Sequence, residues 1–182
     1  MAPMLDPAVG VLLVGCFALL FASAALHKLR APAQFAAVLR AYRVLPEAAT
    51  PLAPLVPFVE LIVALGLLVP AARSGAALAG AVLLGAYALA IGVNLRRGRR
   101  DLACGCGGPD EARPIAPWMV ARNLLLAAFL AGTLIPWQGR ALLATDALTV
   151  GAGMAVATLL YAATDRLLGR VAPRAALMRG PR

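Results

Sequence analysis

The sequence predicts an all-α membrane protein: a polytopic transmembrane helical bundle of five spans, with a short interfacial helix after the first. Three observations predict it. The residues AVILMFWYC fill 62% of the 182 positions and charged residues 14%, far from the balance of a soluble globular domain. Five runs approach the roughly 20 apolar residues that a helix needs to cross the hydrocarbon core. Between them lie short connectors that hold most of the basic residues.

The first run, Val9 to Leu26, carries no charge. The preceding MAPMLDPAVG lacks the positively charged n-region of a secretory signal, so the run reads as a transmembrane helix. In the next connector Phe35, Val38, Leu39 and Tyr42 recur at the i, i+3, i+4, i+7 spacing of a helix with one apolar face, bounded by Pro32 and Pro46. Such a helix suits the membrane interface, and an ordinary connector packed on the bundle is an equal reading. The second run, Leu52 to Pro70, contains Glu60, and its Pro54 and Pro57 fit a helix start or a kink. Gly75 to Leu95 is uncharged; Trp118 to Pro136 holds only Arg122; Ala141 to Ala163 holds only Asp146, with several Thr. Those Thr and Asp146 leave four spans as the alternative count. Residues 1–165 form a single transmembrane domain and 166–182 a basic tail, with no repeat or second soluble domain.

Seventeen Lys and Arg against eight Asp and Glu give a net charge of +9. The distribution argues against a nucleic-acid partner, because no basic stripe interleaved with stacking aromatics appears. It suits a lipid bilayer with anionic headgroups. Lys28, Arg30, Arg40 and Arg43 follow the first run; Arg96, Arg97, Arg99, Arg100 and Arg113 follow the third; Arg166, Arg170, Arg174, Arg179 and Arg182 occupy the tail. Only Arg73 and Arg140 fall in the alternate connectors. The bias predicts a multi-pass protein of the cell (inner) membrane, its N-terminus outside and its third connector cytoplasmic.

That connector holds Cys104-Gly105-Cys106, between RRGRRD and Gly107-Gly108-Pro109. The glycines relax the backbone limits on two nearby sulfurs. So small a ring gains little from loop closure, which favours an exchangeable disulfide over a structural one. Neighbouring arginines stabilise the thiolate that attacks in exchange. Two rivals stand beside the redox reading: a two-thiolate clamp for a soft ion such as Cu(I), and coincidence in a Gly-rich loop. A closed zinc site wants about four ligands, and the chain offers three Cys and one His, so no metal site is assigned. Cys16, inside the first run, reads as a small buried hydrophobe.

Ionisable groups within spans are functional candidates by default. A Glu60–Arg122 ion pair holding the bundle together is the structural reading; proton or substrate handling is the functional one. Under the five-span topology His27, Lys28, Asn94, Arg122 and Asn123 share a membrane face with the thiols, so a polar pocket there is expected.

The ordered set His27-Lys28, Phe35 through Tyr42, Leu45-Pro46, Glu60-Leu61, Asn94 through Arg99, Cys104-Gly105-Cys106-Gly107 and Arg122-Asn123 resembles the MauE (methylamine utilisation) family, grouped with DoxX-like membrane proteins. The resemblance covers Ala24 to about Pro136. It implies thiol–disulfide electron transfer by Cys104 and Cys106 with a thioredoxin-like protein or a maturing client, the methylamine dehydrogenase small subunit by family analogy. It carries the family's polar intramembrane positions to His27, Lys28, Glu60, Arg122 and Asn123. A quinone enters by analogy alone. Maturation of an exported subunit implies an exported site, whereas the charge bias puts the thiols inside. The other class of function is a membrane scaffold or small transporter whose loop cysteines are incidental or metal-binding.

Overall fold

A computed structural model describes residues 4–44, 52, 54–105 and 114–177, with side chains as far as residue 168. Among these residues there are six helices and no strand: α1 (Pro7–Arg30), α2 (Pro32–Tyr42), α3 (Leu55–Leu68), α4 (Arg73–Arg96), α5 (Pro117–Gly132) and α6 (Ala144–Leu177). The starts follow local chemistry. Pro7, Pro32 and Pro117 open α1, α2 and α5, where a missing N–H costs nothing. The Asp6 carboxylate caps α1 by accepting from the Ala8 amide at 2.8 Å. Pro57 falls in the first turn of α3, so the proline pair marks a start and not a kink. The short amphipathic helix expected after the first span is α2; it ends at Arg43 in the left-handed conformation, φ 48°.

This is a helical membrane protein. α1, α4 and residues Ala144–Leu168 of α6 are long and apolar enough to cross a bilayer. α3 and α5, with 14 and 16 residues, reach about 21 and 24 Å at roughly 1.5 Å per residue, short of a core of about 30 Å. Prolines account for this: Pro54 delays the start of α3, Pro70 follows its end, and Pro117 opens α5. α6 runs on from the fifth apolar segment through Leu177.

The core lies where α1, α3, α4 and α5 meet, around Phe21, Val63, Leu67, Leu84 and Leu130. Gly80 permits the approach: a Cβ there would meet Leu130 at 2.8 Å and Phe21 and Val63 at 3.0 Å. Leucines such as Leu89, Leu125, Leu148 and Leu159 point outward, exposed, as lipid-facing positions do. At the end of the bundle where α1 begins, the Leu5 amide donates to the Pro136 carbonyl and the Gln138 amide to that of Leu5, both at 2.8 Å. The Trp137 ring beside them covers Gly10. α2, the start of α3 and the end of α4 gather at the opposite end.

Candidate functional site

Polar residues occupy core registers at that opposite end. The buried stripe of α1, Val14, Phe17, Phe21 and Ala25, continues to Lys28. That of α3 includes Glu60 between Pro57 and Val63, and that of α4 ends on Asn94 after Ala88 and Ile91. Lys28 is 4% exposed and Glu60 0%. The Lys28 ammonium donates to both Glu60 carboxylate oxygens, at 2.6 and 2.9 Å, and the Tyr87 hydroxyl from α4 donates to Oε1 at 2.7 Å. Lys28 Nζ also lies 5.5 Å from the ring centroids of Phe35 and Tyr87, within cation–π range. Burying two charges is costly unless geometry and extra hydrogen bonds compensate, and both conditions are met here.

A second set of bonds straps α2 and the thiol loop to α4. Gly98, φ 73°, turns the chain so that Arg99 reaches back. Its Nη2 donates to the Ala41 carbonyl at 2.7 Å and its Nη1 to Asn94 Oδ1 at 3.0 Å. Arg97 donates to the Arg43 carbonyl at 3.0 Å. These guanidiniums take up carbonyls that the end of α2 leaves without helical partners. Beyond the turn, the Ile115 amide donates to the Leu102 carbonyl at 2.9 Å, which closes the neck of the loop. The Tyr42 hydroxyl then donates to the Cys104 carbonyl at 3.1 Å. Gly105 holds φ 65°, and a Cβ there would stand 2.7 Å from Val38 Cγ1. The backbone of the thiol loop thus lies directly on the apolar face of α2.

Cys104 and Gly105 line an apolar pocket of about 80 Å³ whose other walls include Phe35, Val38, Tyr87 and Ala90. A smaller recess, bounded by His27, Lys28 and Gln34, shares Phe35, Val38 and Gly105 with it. Lys28, Glu60, His27 and Cys104 therefore gather around one cluster, with Asn94 on the clamp beside it. Cys106 lies outside the described residues, as do Pro46 and Arg113.

The expected Glu60–Arg122 ion pair is corrected by the geometry. Arg122 Nη1 donates to Asp165 Oδ1 on α6 at 2.6 Å, and its guanidinium lies 5.2 Å from the Trp118 ring centroid. Glu60 takes Lys28 because α3 packs on α1 and α4, whereas α5 packs chiefly on α4. Asn123 is buried and donates to the Met119 carbonyl at 2.9 Å. Cys16 is half-buried in α1. Sequence reasoning missed Tyr87 and Tyr42 as polar contributors and Arg99 as a clamp. Tyr87 had a signal, since it stands seven residues before Asn94, two helical turns along one face.

A family model described as "Methylamine utilisation protein MauE" matches residues 6–136. The chain belongs to the MauE family. Methylamine utilization protein MauE of Paracoccus denitrificans is 45% identical over 112 residues, 61% of this chain and 60% of that protein. The chain thus spans less than two thirds of that relative's length. The MauE of Methylophilus methylotrophus is 36% identical over 167 residues, 90% of this chain and 88% of that protein. The MauE of Paracoccus versutus is 42% identical over 128 residues, 70% and 69% of the two. No solved structure matches the chain.

Proposed function

We propose that this MauE-family protein is a membrane thiol–disulfide redox protein that serves methylamine utilisation, exchanging electrons through Cys104 and Cys106 with a thioredoxin-like protein or a maturing client. The observation that carries this reading is the seating of Cys104: it lines an apolar pocket, its carbonyl held by Tyr42, and two walls of that pocket, Phe35 and Tyr87, lie against the buried Lys28–Glu60 pair. A thiolate of the pair attacks one sulfur of a partner disulfide, forming a mixed disulfide and releasing the other sulfur as thiolate. The second cysteine then attacks the mixed disulfide, leaving an internal disulfide and a reduced partner. The reverse sequence oxidises a partner dithiol. The arginines of this connector favour the thiolate that attacks in exchange.

The topology that suits the charge bias has five spans in the inner membrane, α3 and α5 crossing as short helices, with the N-terminus outside and the thiol loop cytoplasmic. The test is capture of mixed disulfides in cells with Cys104→Ser and Cys106→Ser. The expected result is a covalent partner, released by reductant, in at least one variant; failure of both to capture, with function retained, removes the reading. A membrane-impermeant maleimide applied to intact cells after reduction is expected to leave both cysteines unlabelled, and strong labelling would put the loop outside.

A further inference from the structure

We infer that the apolar pocket beside Cys104 receives an aliphatic side chain of a partner protein, one that neighbours the partner's reactive disulfide on an acidic segment. The inference rests on the thiol redox reading and adds what the partner carries beside its sulfurs. Of the loop thiols, the step needs only Cys104. Its thiolate attacks the nearer sulfur of the partner disulfide and an S–S bond forms between the two proteins. The partner's own S–S bond breaks, and its other sulfur leaves as a thiolate that takes up a proton from water.

Cys104 and Gly105 are themselves walls of the pocket, so a group that enters it comes to rest beside the attacking residue. Tyr42 and Ile91 are buried, whereas Phe35, Val38, Val56 and Ala90 are half-buried, which gives a closed floor and walls that reach the surface. Both tyrosine hydroxyls are directed elsewhere, that of Tyr42 to the Cys104 carbonyl and that of Tyr87 to Glu60, so the rings present carbon to the space. Volume sets the class of side chain. The pocket holds about 80 Å³, several times the roughly 10–15 Å³ that a water needs and near half the roughly 150 Å³ of a cavity that takes benzene. A branched aliphatic side chain fits; an indole does not. Charge sets the rest of the segment. Arg40 and Arg43 at the end of α2 and Arg96, Arg97 and Arg100 at and just beyond the end of α4 are exposed, on two elements that wall the pocket. Over the whole of both connectors, residues 30–54 and 96–117, eight arginines stand against four carboxylates, Glu47, Asp101, Asp110 and Glu111. Such a surplus draws an acidic segment and repels a basic one.

The experiment uses full-length protein in nanodiscs of zwitterionic lipid, with Cys16→Ser and Cys106→Ser so that Cys104 is the only thiol. The probes are peptides whose single cysteine is a mixed disulfide with thionitrobenzoate, flanked by glutamates, with leucine, glycine or tryptophan next to the cysteine. Attack on the peptide sulfur releases thionitrobenzoate, read by absorbance. The leucine peptide is expected to react about tenfold or more faster than the glycine peptide, with tryptophan close to glycine. A lysine-flanked leucine peptide is expected to be slower at low salt, the difference fading as salt rises. Ala90→Phe, which fills the pocket, is expected to abolish the leucine advantage and leave the glycine rate within about twofold. If Ala90→Phe aggregates, Val56→Phe at the half-buried rim supplies the reading. Equal rates for leucine and glycine, the result of a pocket filled by a lipid acyl chain, overturn the inference. So do a leucine advantage that the folded Phe variant retains, a tryptophan peptide as fast as leucine, and a lysine-flanked peptide as fast as the acidic one. Each of these outcomes spares the redox reading if the Cys→Ser variants capture a partner in cells. No release from any peptide overturns the inference, and with no partner captured it sinks the redox reading as well.

Discussion

The two ends of the bundle each carry a trio of polar side chains, and they differ in almost everything but number. At one end Arg140 bridges Asp6 at 2.8 Å and Asp146 at 2.6 Å in the open, joining the start of α1 to the start of α6. At the other, Lys28, Glu60 and Tyr87 meet in the core. An exposed bridge exchanges water for a partner of similar worth, so little depends on it. A buried pair has no such exchange, and each partner becomes indispensable to the other. The thiol loop sits at the costly end. Polar groups placed where they are expensive mark a site, and polar groups placed where they are cheap mark a fastening.

The comparison breaks most readily at Lys28. Lys28→Met leaves Glu60 buried without its cation and is expected to cost about 3–5 kcal/mol, read by thermal unfolding in detergent. Lys28→Met combined with Glu60→Leu should recover most of that loss. A single variant as stable as the wild type would show that the pair is not the buried unit described. Gly105→Val comes next, since φ 65° and the contact with Val38 both oppose a side chain. The left-handed conformation costs about 1–3 kcal/mol for such a residue. Val38→Ala added to it should relieve the contact and leave the backbone cost.

At the opposite end Arg140→Ala is expected to lower the melting temperature by a few degrees at most. The Arg140 guanidinium holds the Asp6 carboxyl below its ordinary value of 3.8. A depressed carboxyl contributes its stability above the unfolded value and loses it as the pH falls through the folded one. The difference between wild type and Arg140→Ala should therefore persist at about pH 6 and shrink toward about pH 3. A difference that grows on acidification would reverse the sign of the coupling.

All five apolar runs were legible as helices because lipid leaves the backbone no other open solution, and α2 was legible from its apolar spacing. The lengths of α3 and α5 were less so, since hydropathy counts Leu52 and Ile135 as readily as Leu61, while prolines and caps decide where hydrogen bonding starts and stops. Within the site, residue types were readable and partners were not. The sequence offers Glu60 two cations, Lys28 and Arg122, and only the packing of α3 against α1 selects between them. The Tyr42 bond to the Cys104 carbonyl joins residues 62 apart in sequence, a contact that no periodicity encodes. Arg99 shows the same limit: five basic residues in one connector set an expected membrane side, but not which of them fastens α2.

Whether Cys104 and Cys106 form a working redox couple is measured most directly by their redox state against a controlled poise. Protein in nanodiscs is equilibrated across mixtures of oxidised and reduced dithiothreitol or glutathione, quenched in acid, and alkylated with a mass-shifting maleimide. One cooperative two-electron transition is expected, tenfold in equilibrium constant for each 29.6 mV or so, with both cysteines leaving the alkylated pool together and Cys16 unchanged. Two thiols that remain alkylated at every poise would contradict it.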